Sequence, residues 1–183
     1  MCRQFLLCLS IIFLVSGANA GEFGNVLDKD VEQASRDASS KALDGIIKTF
    51  EAIKQRELKN VGESNKSLLA ASEALRQAAA QMEKIAIDKF PSADRAIAES
   101  GVDPDQINRI NQIAQLLGSS SPKTFRDLYR LFTGATYRLA QTLEAASGRS
   151  SASGQPVLRN IGPELTRYIV LGDLVSQMAQ RLL

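Results

Sequence analysis

Apolar residues recur every three or four positions along most of this chain, and this spacing limits the fold to helices. Between residues 28 and 90 the pattern places apolar side chains along one side of two successive helices. No stretch alternates apolar and polar residues with β-branched enrichment, as a half-buried strand would. We therefore predict an all-α fold.

The first predicted helix runs from about Asp28 to Lys59. Three acidic residues lie in its first turn and four basic residues lie near its end, which suits the helix dipole at both ends. Its apolar positions are spaced by threes and fours, and we expect them to form one buried face. They are Leu27, Val31, Ala34, Ala38, Ala42, Ile46, Phe50 and Ile53.

The second predicted helix runs from about Ser64 to Phe90, and Pro91 ends it. It carries a heptad seam over residues 68–85, with Leu68, Leu75 and Met82 at one position of the repeat and Ala71, Ala78 and Ile85 at the alternate position. The alanines allow a neighbouring helix to approach closely. Two interpretations remain open, packing within the chain and self-association or pairing with a partner helix through this seam.

Local start and stop signals divide the remainder of the chain into shorter helices. Asp103 and Pro104 fit the N-cap and N1 positions of a helix that stops at Gly118. Ser121 and Pro122 predict the start of the next helix by the same rule. A brief helix is also predicted from residue 92 to about residue 100.

The C-terminal part of the chain contains one low-complexity stretch and one more helix. Residues 148–156 are rich in Gly and Ser and predict a flexible loop. Gly162 and Pro163 are predicted to open the last helix, with one turn added ahead of them. The prediction is a single all-α domain over residues 21–183, a helical bundle of about five helices with a long N-terminal antiparallel helical hairpin. Its parts are the hairpin at 28–90, shorter helices at 92–147, the loop at 148–156 and a C-terminal helix at 157–182.

The first twenty residues have the pattern of a cleaved signal peptide. Arg3 precedes an apolar run from Phe5 to Val15, and Ala18-Asn19-Ala20 forms a small-x-small cleavage site. The apolar run is too short to span a bilayer comfortably. We therefore expect a bacterial protein that is periplasmic or secreted, with no integral membrane span after cleavage.

The residue types that are missing exclude many kinds of chemistry. The chain has no His and no Trp, and both cysteines, Cys2 and Cys8, lie in the predicted signal peptide. This excludes Ser-His-Asp and Cys-His catalysis and zinc sites built from His or thiolates. After cleavage the chain carries one positive charge in excess, so it has no global attraction for nucleic acid. We expect no catalytic residues, no metal and no cofactor.

Arginine and tyrosine alternate along the helix predicted to start at Pro122. Arginine binds carboxylates in a fork, and both residue types are enriched in the hot spots of protein interfaces. The alternative interpretation is a solvated face, since Asp127 and Glu144 lie nearby. The candidate partner-binding residues are Arg126, Tyr129, Arg130, Tyr137 and Arg138.

These observations predict a non-enzymatic exported or periplasmic helical bundle that acts through protein–protein interaction. Its expected partner is another envelope or exported protein, as for a component of an envelope or secretion apparatus. The alternative is a periplasmic carrier of a lipid or small apolar ligand in a cavity between helices, for which the apolar segment Tyr168 to Leu174 is a candidate wall.

Overall fold

A computed structural model describes residues 29–85, 87, 93–148 and 158–182, with side chains for 33–85, 87, 93–148 and 160–179. The described residues form five α-helices and no strand, which confirms the all-α prediction. The predicted signal peptide and residues 149–156 of the predicted loop lie outside the described residues. The helices are α1 (Lys29–Glu57), α2 (Val61–Lys84), α3 (Pro104–Leu116), α4 (Phe125–Ala146) and α5 (Leu158–Leu182).

Helices α1 and α2 form the predicted antiparallel hairpin, and small residues hold them close together. Ser64 Oγ donates a hydrogen bond to the carbonyl oxygen of Ala52 at 2.9 Å. A Cβ atom added at Gly45 would lie 2.7 Å from Cγ of Leu75 and 3.2 Å from the carbonyl oxygen of Ala71. The same antiparallel register places Ala38 opposite Ala78, and both are buried.

The heptad seam predicted on the second helix is buried inside the chain. Five of its six members are at most 4% exposed, namely Leu68, Ala71, Leu75, Ala78 and Met82, whereas Ile85 is half-buried and follows the end of the helix. Packing within the chain therefore accounts for the seam, and self-association through residues 68–85 gains no support.

Helix α4 occupies the centre of the bundle. It packs against α2 on one side and against α5 on the other, while α1 packs against α2. The rings of Phe132 on α4 and Tyr168 on α5 lie 5.2 Å apart between centroids. The shorter α3 is joined to α5 by a hydrogen bond of 3.1 Å from Gln106 Nε2 to Gln177 Oε1. Large side chains at the centre are Leu75, Leu128, Leu139, Leu143, Leu171 and Met178.

The second helix ends six residues earlier than predicted. It stops at Lys84, because Ile85 adopts an extended conformation with ψ of 105°. A continued helix would turn Ile87 about 140° away from Met82, and so away from the core. The extended residue instead lets Ile87 become buried. The burial of one large apolar side chain thus ends the helix before Pro91.

The described residues before α3 form turns and one isolated bridge, and the short helix predicted there is reduced to a single 3₁₀ turn at Ile97–Glu99. The backbone of residues 93–97 bonds to residues 123–126 instead. Ile97 N donates to Lys123 O at 2.9 Å, and Arg126 N donates to Ala93 O at 2.9 Å. These contacts join parts of the chain that are distant in sequence, so local patterns do not predict them.

Helix α4 begins at Phe125, and the predicted start at Ser121 and Pro122 is wrong by three residues. Thr124 is the N-cap, and its hydroxyl oxygen accepts a hydrogen bond from Asp127 N at 3.2 Å. The Asp127 carboxylate accepts in return from Thr124 N and Lys123 N, each at 3.1 Å. Three satisfied backbone donors make this start better than one at Ser121.

Replacing Thr124 by alanine is expected to lower the free energy of unfolding by about 1 kcal/mol, since the N-cap acceptor is lost. Urea denaturation followed by circular dichroism measures the change. Ser121→Ala is the control, because Ser121 is exposed and does not cap the helix. An equal loss in both variants would contradict the assignment of the cap.

The capping box also gives the stability a defined pH dependence. Burial alone raises the pKa of Asp127, but hydrogen bonds from Lys123 and Thr124 and the charge of Arg130 outweigh it and lower the pKa. The stabilisation is therefore present above the pKa of the unfolded chain, about 4, and is lost as the pH falls through the lower folded value. Asp127→Asn should flatten this part of the stability curve.

Helix α5 begins at Leu158, within one residue of the predicted C-terminal helix. Its start therefore precedes Gly162 and Pro163, and Pro163 lies inside the helix. The extra turn buries Ile161. Burial of this apolar side chain favours the earlier start.

Candidate interaction surfaces

The arginine and tyrosine residues predicted as a partner surface lie on two different sides of α4. Two of them contact α2. The Tyr129 hydroxyl donates to the carbonyl oxygen of Met82 at 3.1 Å, and burial raises the pKa of this phenol. The Tyr137 hydroxyl donates to Glu83 Oε2 at 3.1 Å, and partial burial together with Glu83 raises its pKa.

Arg138 faces the opposite neighbour, α5. Its Nε donates to Glu164 Oε1 at 3.2 Å, and Arg167 Nη1 donates to the same oxygen at 2.7 Å. The Glu164 side chain is only 9% exposed, so a buried carboxylate is held between two arginines. This cluster joins α4 to α5.

The two remaining members of the predicted surface lie nearer the start of α4. Arg126 Nη2 donates to Asp94 Oδ2 at 2.9 Å, which ties α4 to the segment before the 3₁₀ turn. Arg130 is exposed and lies close enough to Asp127 to affect its pKa. The five residues therefore interact within the chain, and a partner-binding role for this set stays a prediction.

A different surface gathers the exposed apolar side chains. Of the six large apolar residues that are substantially exposed in the described part of the chain, five lie on α1 or at the tip of the hairpin. We call these five the apolar patch, and their exposure ranges from 38% to 59%. The sixth is Leu116 on α3. The apolar patch consists of Ile47, Phe50, Ile53, Leu58 and Val61.

The sequence predicted Phe50 and Ile53 as members of the buried face of the first helix, and the structure corrects this. Each step of four residues turns about 40° further around an α-helix. Four such steps from Ala34 to Phe50 therefore rotate the line by about 160°. Phe50 is 42% exposed as a result, whereas Ala34 is buried. The spacing in the sequence already indicates this rotation, and it distinguishes the buried face of α1 from the exposed face that carries Phe50.

Helix α1 thus carries two stripes with heptad spacing. The inner stripe is made of small residues, and it packs against α2. The outer stripe begins with Leu43, Ile47 and Phe50, at steps of four and three, and Lys54 and Glu57 continue it. Heptad spacing of larger apolar residues is typical of a helix that packs against another helix. The inner stripe consists of Ala38, Ala42, Gly45, Thr49 and Ala52.

An apolar cavity of about 350 Å³ lies beside the apolar patch, where the hairpin tip meets the first turns of α5. Ile53 belongs to both the apolar patch and the cavity wall. This part of α5 is not the segment Tyr168 to Leu174, whose tyrosine and two leucines are buried in the core. The lining residues are Ala52, Ile53, Arg56, Glu57, Ser64, Leu68, Ile161 and Gly162.

One polar group in the cavity wall has an unmet hydrogen-bonding requirement. Arg56 Nη2 donates to Asn65 Oδ1 at 2.9 Å, which fixes one side of the guanidinium group. Arg56 Nε is buried and has no hydrogen-bond acceptor among the described residues. Buried donors of this kind are uncommon in native proteins and call for an explanation.

The described residues lack two further classes of site. No helix among them contains an apolar stretch sufficient to cross a bilayer. No cluster of three or more acidic, His or Cys side chains suited to a metal ion occurs among them either.

Comparisons of this chain with protein-family models, curated proteins and solved structures found no match.

Proposed function

We propose that this protein is a non-enzymatic exported or periplasmic helical bundle that acts by binding another envelope or exported protein. The observation that carries the proposal is the apolar patch on α1 and the hairpin tip. Exposed apolar residues that cluster in this way typically mark interaction sites, whereas single ones are ordinary on protein surfaces. The signal-peptide pattern of residues 1–20 supports export.

The spacing of the outer stripe supports a helical partner. Leu43, Ile47 and Phe50 have the spacing of a short coiled-coil seam, and an amphipathic helix of the partner would place its own apolar residues beside them. Lys54 and Glu57 continue the seam with charges of opposite sign. Such polar positions help to fix the register of a helix pair and contribute less to its stability.

A photo-crosslinking amino acid in place of Ile47, introduced in the host, tests this proposal. We expect a discrete adduct with another protein, and we expect Phe50→Glu to abolish it by placing a charge in the apolar patch. The intact mass of the uncrosslinked protein from the same host reports whether the chain begins at Gly21, as predicted.

Leu116 provides the matched control, because it is 57% exposed but lies on α3, outside the apolar patch. A probe at Leu116 should give no such adduct, and Leu116→Glu should leave the Ile47 adduct intact. Equal labelling from both positions, or an adduct that survives Phe50→Glu, would contradict the proposal.

A carrier of a lipid or small apolar ligand is the second candidate function. The observation that favours it is the cavity between the hairpin tip and α5, whose volume lies near the lower end of the range of about 300–1,000 Å³ for ligand pockets.

A further inference from the structure

The turn that joins α1 to α2 exposes two large apolar side chains. We call residues 58–61 the tip turn. Leu58 is 59% exposed and Val61 is 48% exposed, the two highest values in the apolar patch. The outer stripe lies elsewhere, since Ile47 is roughly 15 Å along α1 from Glu57, the last residue of the helix. The exposure of the tip turn therefore needs an explanation of its own.

The backbone of this turn is a Schellman motif, with a lysine where glycine is usual. Asn60 N donates to Gln55 O at 2.9 Å, and Lys59 N donates to Arg56 O at 3.0 Å. These two hydrogen bonds define the motif. Lys59 has φ of 62°, and in the described part of the chain it is the one residue other than glycine with positive φ. A Cβ atom makes this conformation unfavourable, so the turn keeps a cation at a conformational cost.

Positive charge concentrates around the same turn. Residues 54–66 contain four basic and two acidic side chains, a net charge of +2, which equals the net charge of the whole chain. Lys54 and Lys59 are exposed, and Lys66 pairs with Glu63 at 2.8 Å. The rest of the chain is neutral in sum, so an anionic surface attracts this end of the hairpin.

We infer that the tip turn docks on an anionic lipid surface, with Leu58 and Val61 inserted among the headgroups and Lys59 beside the lipid phosphates. Segments that bind at a membrane interface typically combine apolar side chains, which enter the headgroup region, with lysines that attract anionic lipid. The tip turn combines both within four residues. This docking is independent of the proposed protein partner, which contacts the side of α1.

Co-sedimentation with vesicles tests the inference, with phosphatidylcholine alone and with an equal mixture of phosphatidylcholine and phosphatidylglycerol. We expect the purified protein to bind the anionic vesicles more tightly, and this preference to fall as the salt concentration rises. Leu58→Asp should lower the binding constant roughly tenfold, since it removes apolar burial and adds a negative charge. Leu116→Asp is the matched control, because Leu116 is 57% exposed on α3, and it should leave binding unchanged.

Replacing Lys59 by glycine is expected to have two opposite effects. Binding to the anionic vesicles should fall about fivefold, the effect of one lysine near an anionic surface. The denaturation midpoint should rise, because glycine adopts the left-handed conformation without strain. Lys123→Gln is the control for charge, since Lys123 is exposed just before α4, and it should leave vesicle binding unchanged.

Three results would overturn the inference. They are absence of binding to both kinds of vesicle, an equal loss in Leu58→Asp and Leu116→Asp, and unchanged binding in Lys59→Gly. None of them affects the proposed protein partner, which the crosslink at Ile47 tests separately. If vesicles did not bind and Leu58→Asp abolished the Ile47 adduct, the tip turn would belong to the protein interface instead.

Discussion

Replacing Gly45 by valine is expected to lower the free energy of unfolding by about 3 kcal/mol. A Cβ at this position would lie 2.7 Å from Leu75 Cγ and 3.2 Å from the backbone oxygen of Ala71. Leu75 is completely buried, so its side chain has little space in which to move. The two helices must therefore separate, which loosens the small-residue packing along the whole hairpin. Chemical denaturation followed by circular dichroism measures the loss.

Gly134→Val is the matched control for this prediction. Gly134 also lies inside a helix, but an added Cβ there meets nothing within 4 Å. Valine is the better helix former of the two residues, so this variant should be unchanged or slightly more stable. A similar loss at both positions would show that the effect comes from valine in a helix and that close packing at Gly45 is not its cause.

Replacing Glu164 by alanine is expected to lower the free energy of unfolding by about 2 kcal/mol. The carboxylate is buried and accepts hydrogen bonds from Arg138 and Arg167, so its removal leaves two arginines facing each other between α4 and α5. Removing one partner from a fully buried ion pair typically has a larger effect. Here Arg138 is 45% exposed, and water compensates part of the loss.

The ion pair between Glu63 and Lys66 provides the comparison, because both side chains are largely exposed. Glu63→Ala should leave the denaturation midpoint within experimental error, as is usual for surface pairs. If Glu164→Ala also left the denaturation midpoint unchanged, the cluster at Glu164 would not contribute to the packing of α5. Circular dichroism at several salt concentrations would distinguish the two pairs further, since salt screens the exposed one.

The parts of the fold that local chemistry determines were predictable from the sequence. The helix at Asp103 and Pro104 starts where the capping rule places it, and the Asp103 side chain accepts from Asp105 N at 2.9 Å. The early end of α2 was not predictable, because it depends on the burial of Ile87 by residues distant in the chain. The start at Thr124 did have a local signal, because Thr124 and Asp127 have the spacing of a capping box. Pro122 nearby favoured an earlier start and made this signal easy to miss.

The candidate surfaces depended more strongly on tertiary contacts. The position of α4 between two neighbours directs Tyr129 toward α2 and Arg138 toward α5, and the spacing of these residues in the sequence does not reveal it. The exposure of Phe50 follows from helical rotation and could be predicted from the sequence. The cavity could not be predicted, since it joins α1 and α2 to a turn of α5 about one hundred residues further along the chain.

The central position of α4 also determines when the bundle can close. The hairpin of α1 and α2 is synthesised first, but the side of α2 that faces α4 stays uncovered until α4 has been made. While only the hairpin has been made, the side of α2 that later packs against α4 presents apolar residues to solvent, and such surface is of the kind that chaperones bind. The core around α4 is complete only when α5 has been synthesised as well, because α4 packs against both α2 and α5.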